Sequence, residues 1–264
     1  MRNFLLLLLV STASSLCSAA PQPPQFPSSL PHSKNDQEPL PEGATAAMQA
    51  LKHFMEAATL DERLRHTLHA DILKPRMEQY YKQPSEKPVI VDSVDFVRLD
   101  LDTDLGTGRH CILSMESKAW KFPVPVMLTE QPDGFKLDWP AFVEFKDRQL
   151  EKFFQNYQKE PMRFHVGIQR NHFFGHGVPD VSHKDSFCLS PAPPDSFQGS
   201  AFLPKDTDFA AELKTRLPWE THVWAVVELE WKKQGAQQWV ELKSVPQMHW
   251  YSLPEASRPA PPQQ

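Results

Sequence analysis

The sequence predicts an α+β protein with two folded units between two proline-rich ends. Near the start of the first unit, apolar residues recur every three or four positions, which is typical of helices. They then alternate with a period of two, which is typical of strands. Residues 45–145 are therefore predicted to pack a helical segment on an antiparallel sheet, as in nuclear-transport-factor-2-like (NTF2-like) and cystatin-like cones. Residues 161–252 are predicted to form a small β-rich unit with one helix.

Residues 1–19 have the pattern of a secretory signal peptide. Arg2 carries the single positive charge, an apolar run follows at 4–10, and the small residues Cys17 and Ala19 suit cleavage after Ala19. The apolar run is too short to span a bilayer. The chain is therefore expected to be exported, either to the periplasm or out of the cell. A lipid on Cys17 is an alternative, although bacterial lipoproteins usually have a small residue where this chain has Leu16.

Proline-rich segments flank the part of the chain that is expected to fold. Residues 20–44 are predicted to be a disordered linker, and residues 253–264 a disordered tail. Both segments contain few apolar residues, so burial there does not offset the loss of chain entropy.

The charge of the chain limits its partners. Without the signal peptide, 27 of the 28 basic residues remain beside 33 acidic ones. A negative chain is a poor match for nonspecific binding to nucleic acid or to an anionic membrane, both of which favour a basic face. No later run has the roughly 20 apolar residues of a membrane-spanning helix, so no transmembrane span is predicted.

Three helices are predicted at the start of the first unit. The apolar stripe of the first helix comprises Ala47, Met48, Leu51, Phe54, Met55 and Ala58. Thr59 and Glu62 have the spacing of a capping box, which predicts the start of a second helix. A third helix is predicted at "LKPRMEQYY", where Met77, Tyr80 and Tyr81 offer a packing face.

Four strands are predicted to follow as a meander. In "VIVDSVDFVRLDLD" the apolar phase slips between Phe96 and Val97, which indicates a β-bulge. Pro123 and Pro125 lack amide donors, so the third strand is predicted to be irregular or to lie at an edge of the sheet. An Asp-Gly pair at Asp133 predicts the turn to the fourth strand. The second strand should present one buried face, formed by Cys111, Leu113 and Met115.

A bridging helix is predicted at 146–160, because four apolar or aromatic residues there have helical spacing: Leu150, Phe153, Phe154 and Tyr157. Such a stripe usually packs in a core, and a partner-binding face is the alternative. In the second unit, three strands precede a helix capped at Asp206 or Thr207, and a hairpin follows. This order is that of a five-stranded oligonucleotide/oligosaccharide-binding (OB-like) barrel.

Several segments resemble a family of uncharacterised exported bacterial proteins from Planctomycetes- and Verrucomicrobia-type genomes. These segments are "FMEAATLDERLRHTLHADILKPRMEQYY", "FKLDWPAFVEF", "FHVGIQRNHFF" and "FLPKDTDFAAELKTRL". The resemblance covers most of residues 47–250, and its most specific part is the Asp138-Trp139 pair between a hairpin and a helix. The family has no established activity, so the resemblance implies an architecture and leaves the function open.

A cavity between the helices and the concave sheet is one candidate site. The polar residues that the pattern places nearest to it are Tyr80, Asp95, His110 and Asp138. A ligand-binding or enzymatic cavity there would need several ionisable groups that converge. No spacing in the sequence identifies a nucleophile and its base.

The stretch "NHFFGHGVPDVSHKD" is a second candidate, because it places three histidines close together in sequence. His172 and His176 would converge on a metal ion only if the glycines fold the loop back, and His183 or Asp180 would then be a third ligand. The alternative, which the sequence favours, is a loop that leaves a strand through two phenylalanines and two glycines, with the histidines in surface or packing roles.

The sequence lacks the common signatures of catalysis and cofactor binding. It contains no Gly-x-Ser-x-Gly, His-Glu-x-x-His, Cys-x-x-Cys, phosphate loop or dinucleotide fingerprint. No cofactor is therefore predicted. The expected function is that of a non-enzymatic exported protein that binds a protein partner or a small ligand. The alternatives are an enzyme or ligand cavity in the first unit and a metal-binding loop at His172 and His176.

The cysteines and the tryptophans each permit two interpretations. Cys111 and Cys188 are able to pair in an oxidising compartment or to remain small buried thiols. Five tryptophans are expected to fill the barrel or cover its ends, although tryptophan also stacks on sugars and bases. They are Trp219, Trp224, Trp231, Trp239 and Trp250.

Overall fold

The computed structural model describes residues 40–83, 89–100 and 109–251. The predicted signal peptide, most of the predicted linker and the predicted tail lie outside these residues. The described part is α+β, with six α-helices, a four-stranded sheet and a closed five-stranded barrel. None of the helices in this part is long and apolar enough to cross a membrane.

The first unit contains four helices and a sheet in the order β1-β2-β3-β4, in which all neighbours are antiparallel. The predicted meander is confirmed. Its elements are α1 (Ala44–Glu56), α2 (Leu60–Leu64), α3 (Ala70–Tyr81), β1 (Ser93–Asp100), β2 (His110–Glu116), β3 (Val124–Gln131), β4 (Gly134–Leu137) and α4 (Trp139–Lys146).

The apolar stripe of α1 and the start of α2 follow the predictions from the sequence. The stripe of α1 is buried as expected, except that Ala58 lies beyond the end of the helix and is exposed. The capping box is confirmed. The Glu62 amide donates to Thr59 Oγ1 at 3.2 Å, and the Thr59 amide donates to the Glu62 carboxylate at 3.0 Å. These bonds satisfy donors that the first turn of α2 leaves open.

The sheet confirms the bulge and corrects the position of the third strand. Phe96 lies opposite Leu113 and Arg98 opposite Ile112, so Val97 is the extra residue of the bulge. β3 is an inner strand rather than an edge. β4 pairs with β3 only from Leu128 onward, so the part of β3 that contains Pro125 has no strand partner on the β4 side. The missing amide donor of Pro125 is therefore tolerated.

The first core lies between the helices and one face of the sheet. That face carries Cys111, Leu113 and Met115, as predicted, and all three are fully buried. The helices fill the space above it with large side chains that are at most 1 % exposed: Met48, Leu51, Phe54, Met77 and Trp139. This side of the sheet is therefore packed with side chains.

The single bridging helix predicted at 146–160 is wrong. The chain instead forms α4, breaks at Asp147 and Arg148, and continues as α5 (Gln149–Gln155). Arg148 has a φ of 52°, a left-handed conformation that ends helical hydrogen bonding. Because of this break the two helices pack in different cores. Phe142 of α4 lies in the first core and Phe153 of α5 in the second.

The second unit is a closed barrel with the strand order β5-β6-β7-β9-β8. β7 and β9 are parallel, and all other neighbours are antiparallel, including the β5–β8 pair that closes the barrel. Thr207 caps the helix, as predicted, by accepting from the Ala210 amide at 3.1 Å. The elements are β5 (Met162–Asn171), β6 (Lys184–Ser190), β7 (Gly199–Pro204), α6 (Asp208–Arg216), β8 (His222–Gln234) and β9 (Gln237–Gln247).

The two units meet on the face of the first sheet that is turned away from its helices. Trp250, Ile112 and Met127 form a small apolar cluster there. The Trp250 indole donates to the Val166 carbonyl at 3.1 Å, and Glu144 of α4 bonds to His165 of β5. The second unit therefore covers part of the face of the first sheet that its own helices leave open.

Candidate functional site

The loop at 172–183 joins β5 to β6 at one end of the barrel, and two adjacent phenylalanines on it have opposite surroundings. The Phe173 ring packs edge-on against Phe202 of β7, with 4.8 Å between the ring centres. Phe174 is 89 % exposed. Successive side chains of an extended segment point to opposite sides, so fixing Phe173 on the barrel directs Phe174 outward.

An aromatic cluster supports the base of this loop. Trp219, from the segment between α6 and β8, lies 4.6 Å from the His172 ring at an angle of 20°, and its ring centre is 4.3 Å from the Arg170 guanidinium carbon. The His172 ring is in turn 6.1 Å from that of Phe174. Trp219 itself remains 46 % exposed. We refer to Arg170, His172, Phe174 and Trp219 as the aromatic cluster.

Charged residues hold the cluster to the end of the barrel. Asp185 of β6 is 8 % exposed and forms an ion pair of 2.9 Å with Lys214 of α6. The Arg170 guanidinium is 3.6 Å from the same carboxylate. Burying a carboxylate is unfavourable unless cations compensate for its charge, so these three residues are placed as a group.

Hydrogen bonds to main-chain carbonyls hold the return path of the loop. Lys184 donates to the Pro179 carbonyl, and Lys205 donates to the Ser182 carbonyl at 2.7 Å. The His183 amide donates to the Asp180 carbonyl at 2.9 Å. The exposed Phe174 therefore stands on a loop that is tied at both ends and along its return path.

The structure does not bring the three histidines of this loop together. His172 lies against Trp219, while His176 and His183 are exposed without a shared neighbour that could complete a metal site. No group of three or more His, Cys, Asp or Glu side chains is placed to hold a metal ion among residues 40–83, 89–100 and 109–251. The loop turns at Gly177, which has a φ of 97°.

The cavity predicted in the first unit is filled, and its four candidate residues do not converge. Asp138 caps α4, accepting from the Ala141 amide at 3.1 Å. Asp95 follows buried Val94 on β1, so it points to the opposite face of the sheet. These two placements correct the prediction.

The other two candidates also have roles outside that cavity. His110 stacks on Tyr251, with ring centres 4.4 Å apart, on the side of the sheet that faces the second unit. Tyr80 donates its hydroxyl to Asp147 at 2.9 Å, next to the break between α4 and α5. His110 alternates with Cys111 of the first core on β2, so it points away from the helices rather than toward the predicted cavity.

An open cleft lies between the two units instead. Its volume is about 490 Å³, and it is bordered by the loop before β3, the break between α4 and α5, and the segment after β6. Aromatic residues and prolines, among them Trp120, Phe122 and Pro191, line it together with charged side chains.

One buried ionisable pair lies beside this cleft. Both oxygens of Glu144 accept from His165, one from its amide and one from ring Nδ1, each at 2.8 Å. Burial raises the pKa of Glu144. Burial alone would lower the pKa of His165, but the hydrogen bond and charge of Glu144 outweigh it and raise that pKa. The pair therefore retains a proton more strongly than the separate residues would.

Cys111 and Cys188 are free thiols in different units. Cys111 is buried in the first core and Cys188 is half-buried on the barrel, so they do not pair. Burial raises the pKa of Cys111 to about 12, and it also raises that of Cys188. Neither thiol is activated as a nucleophile, since the thiolate is the reactive form.

Comparisons of the chain with protein-family models, with curated proteins and with solved structures gave no match.

Sequence reasoning missed the role of Trp219 and of the Glu144–His165 pair. Trp239 and Trp250 are buried as expected, but Trp219 is not part of a core. Its position beside His172 depends on a contact between residues far apart in sequence. Glu144 did leave a signal, because it is a lone carboxylate in the apolar run "FVEF".

Proposed function

We propose that this chain is an exported, non-enzymatic binding protein, and that the loop at 172–183 binds a protein partner. Phe174 would be the anchor, inserted into an apolar pocket of that partner. The observation that carries this proposal is the 89 % exposure of Phe174 on a loop that is held at Phe173 and along its return path.

Three physical reasons favour a binding role for Phe174 over that of an ordinary exposed residue. Full burial of a phenylalanine side chain is favourable by about 1.5–3 kcal/mol. An exposed phenylalanine gains this free energy only when a partner buries it. Aromatic residues are enriched among the few side chains that dominate binding energy at interfaces. A loop that is already ordered also loses less entropy on binding.

The arrangement of the barrel supports the same location. Its strand order, with a helix between the third and fourth strands, is the order of an OB-like barrel. In such barrels the loop between the first two strands takes part in ligand binding, and here that loop is 172–183. The first unit, with helices on one face of an antiparallel meander, supports a cone of the NTF2-like or cystatin-like type.

The class of partner is inferred from charge and compartment. The net charge of −5 is unfavourable for nucleic acid, which many OB-like barrels bind. The leader-like residues 1–19 and the resemblance to exported bacterial proteins support export. A protein of the exported fraction is therefore the proposed partner.

Site-specific photo-crosslinking tests this proposal. The crosslinker p-benzoylphenylalanine would replace Phe174 in one variant and Ile72 in a matched control, because Ile72 is also strongly exposed, at 73 %, but lies on α3. Each protein would be irradiated with the exported fraction of the source organism. We expect a product from position 174 that position 72 does not give.

Competition determines whether that product reports the anchor. Excess unlabelled wild-type chain should suppress it, and excess F174A should not. The proposal is wrong if both positions give the same products, if no product forms at 174, or if F174A competes as well as the wild type. Circular dichroism of F174A would confirm that the variant is folded.

A further inference from the structure

We infer that the cleft between the two units is a separate binding site for a small organic anion with an aromatic or other apolar body. This inference does not depend on the proposed role of Phe174, which lies on the loop at the end of the barrel. The cleft volume of about 490 Å³ is in the range of pockets that hold small molecules.

The carboxylates of the cleft already have partners. Asp147 is 2.7 Å from Lys146, and Arg148 reaches both Glu151 at 2.6 Å and Asp195 at 3.1 Å. The fourth carboxylate, that of Glu144, is turned toward His165 and accepts two hydrogen bonds from it. A cationic ligand would have to displace one of these bonded partners.

Two lysines of the cleft differ from the other charged residues. Lys121 and Lys152 are exposed, and neither forms an ion pair with a carboxylate within the part of the chain that the structure describes. They are the positive charges of the cleft that a ligand could meet without displacing a carboxylate. A carboxylate, or another small anion, would gain charge-assisted hydrogen bonds from them.

The apolar side of the cleft lies next to this charge. The ring centre of Phe122 is 5.1 Å from Lys121 Nζ and 5.3 Å from the Arg148 guanidinium carbon. Trp120 and Pro123 line the same wall. An inorganic anion would use the lysines alone, whereas a neutral ring would use only the apolar wall. A ring that bears a carboxylate uses both, which is why we assign this class of ligand.

Calorimetric titration of the full chain with benzoate tests the inference. Benzyl alcohol supplies the same ring without the charge, and inorganic phosphate supplies charge without the ring. We expect benzoate to bind at one site per chain, with benzyl alcohol and phosphate each about tenfold weaker or more, as expected for the loss of one good interaction.

The variants locate the site. K121Q/K152Q should weaken benzoate binding by about tenfold or more, the effect of losing charge-assisted hydrogen bonds. K118Q is the matched control, because Lys118 is three residues from Lys121, is 92 % exposed and does not line the cleft. F174A should bind benzoate like the wild type, which separates this site from the loop.

Several outcomes would overturn the inference. They are the absence of saturable benzoate binding, equal binding of benzyl alcohol or phosphate, and unchanged binding in K121Q/K152Q. An equal loss in K118Q would also count against it, because it would indicate a general charge effect rather than a site.

Discussion

Glu144 and His165 form a doubly hydrogen-bonded pair across the boundary between the two units. The carboxylate accepts from the amide and from the ring Nδ1 of the same residue, at 2.8 Å in both cases. The two hydrogen bonds hold α4 of the first unit against β5 of the barrel. It also links the stability of the molecule to pH, because the pKa of both residues is raised.

The first prediction concerns this pH dependence. A group whose pKa is higher in the folded chain binds its proton more strongly there than in the unfolded chain, so its contribution to stability is lost as pH rises. We expect the free energy of unfolding to fall as pH rises above the ordinary values of 4.5 for Glu144 and 6.5 for His165. The slope should approach about 1.4 kcal/mol per pH unit while one proton is released. Urea unfolding between pH 5.5 and 8.5 measures it.

Glu144→Gln is the informative variant, since the amide keeps the shape of the side chain but does not titrate. Its unfolding free energy should vary less with pH than that of the wild type. The exposed Glu56→Gln serves as the control and should follow the wild type. A parallel pH dependence in E144Q and the wild type would show that the pair is not responsible.

The second prediction separates the adjacent phenylalanines. Phe173→Ala removes a ring packed on Phe202 and should lower the unfolding free energy by about 1–2 kcal/mol, less than a fully buried phenylalanine loses. Phe174→Ala should change it by no more than about 0.5 kcal/mol, because the side chain is exposed. Urea unfolding of both variants checks this. A large loss in F174A would mean that Phe174 is a structural residue.

The third prediction distinguishes the cap from the other carboxylate candidate. Asp138→Ala should cost about 1 kcal/mol because it removes the bond to the Ala141 amide at the start of α4. Asp138→Asn keeps an acceptor and should restore most of that loss. Asp95→Ala should be close to neutral, at about 0.5 kcal/mol or less. Equal losses in Asp138→Ala and Asp138→Asn would argue against a capping role.

The fourth prediction concerns the thiols. With Cys17 replaced by serine, the folded chain should react slowly with Ellman's reagent at pH 8, and both remaining thiols should react promptly in urea. Cys111 should be the slower one, since its pKa is raised to about 12 by burial. Adding C188S isolates Cys111. Prompt reaction of that variant in the folded state, or a disulfide between Cys111 and Cys188, would contradict this expectation.

Local patterns predicted the features that depend on neighbouring residues. The capping box at Thr59, the stripe of α1 and the bulge at Val97 each arise from side chains within a few positions of one another. The break at Arg148 was missed because the helical spacing of the apolar residues continues through it. Only the presence of two separate cores requires the chain to turn there.

The candidate sites were harder to predict because they depend on which surfaces meet. The sequence pattern placed His110 and Asp95 near a cavity on the helix side of the sheet, but each lies on the face opposite to its core neighbour, Cys111 or Val94. It did not indicate that His110 is covered there by Tyr251. Trp219 and His172 are joined by the fold alone. Asp138 could have been identified from sequence, since an Asp followed by Trp-Pro matches a helix cap with proline in the first turn.

Trp250 and Tyr251 join the two units from the segment that follows the last barrel strand. The indole bonds to Val166 of the barrel, while the Tyr251 hydroxyl contacts Arg98 and Asp100 of the first sheet. Both residues follow β9, the last strand of the barrel. A chain shortened to end before Trp250 would therefore keep every helix and strand of both units but lose these contacts between them.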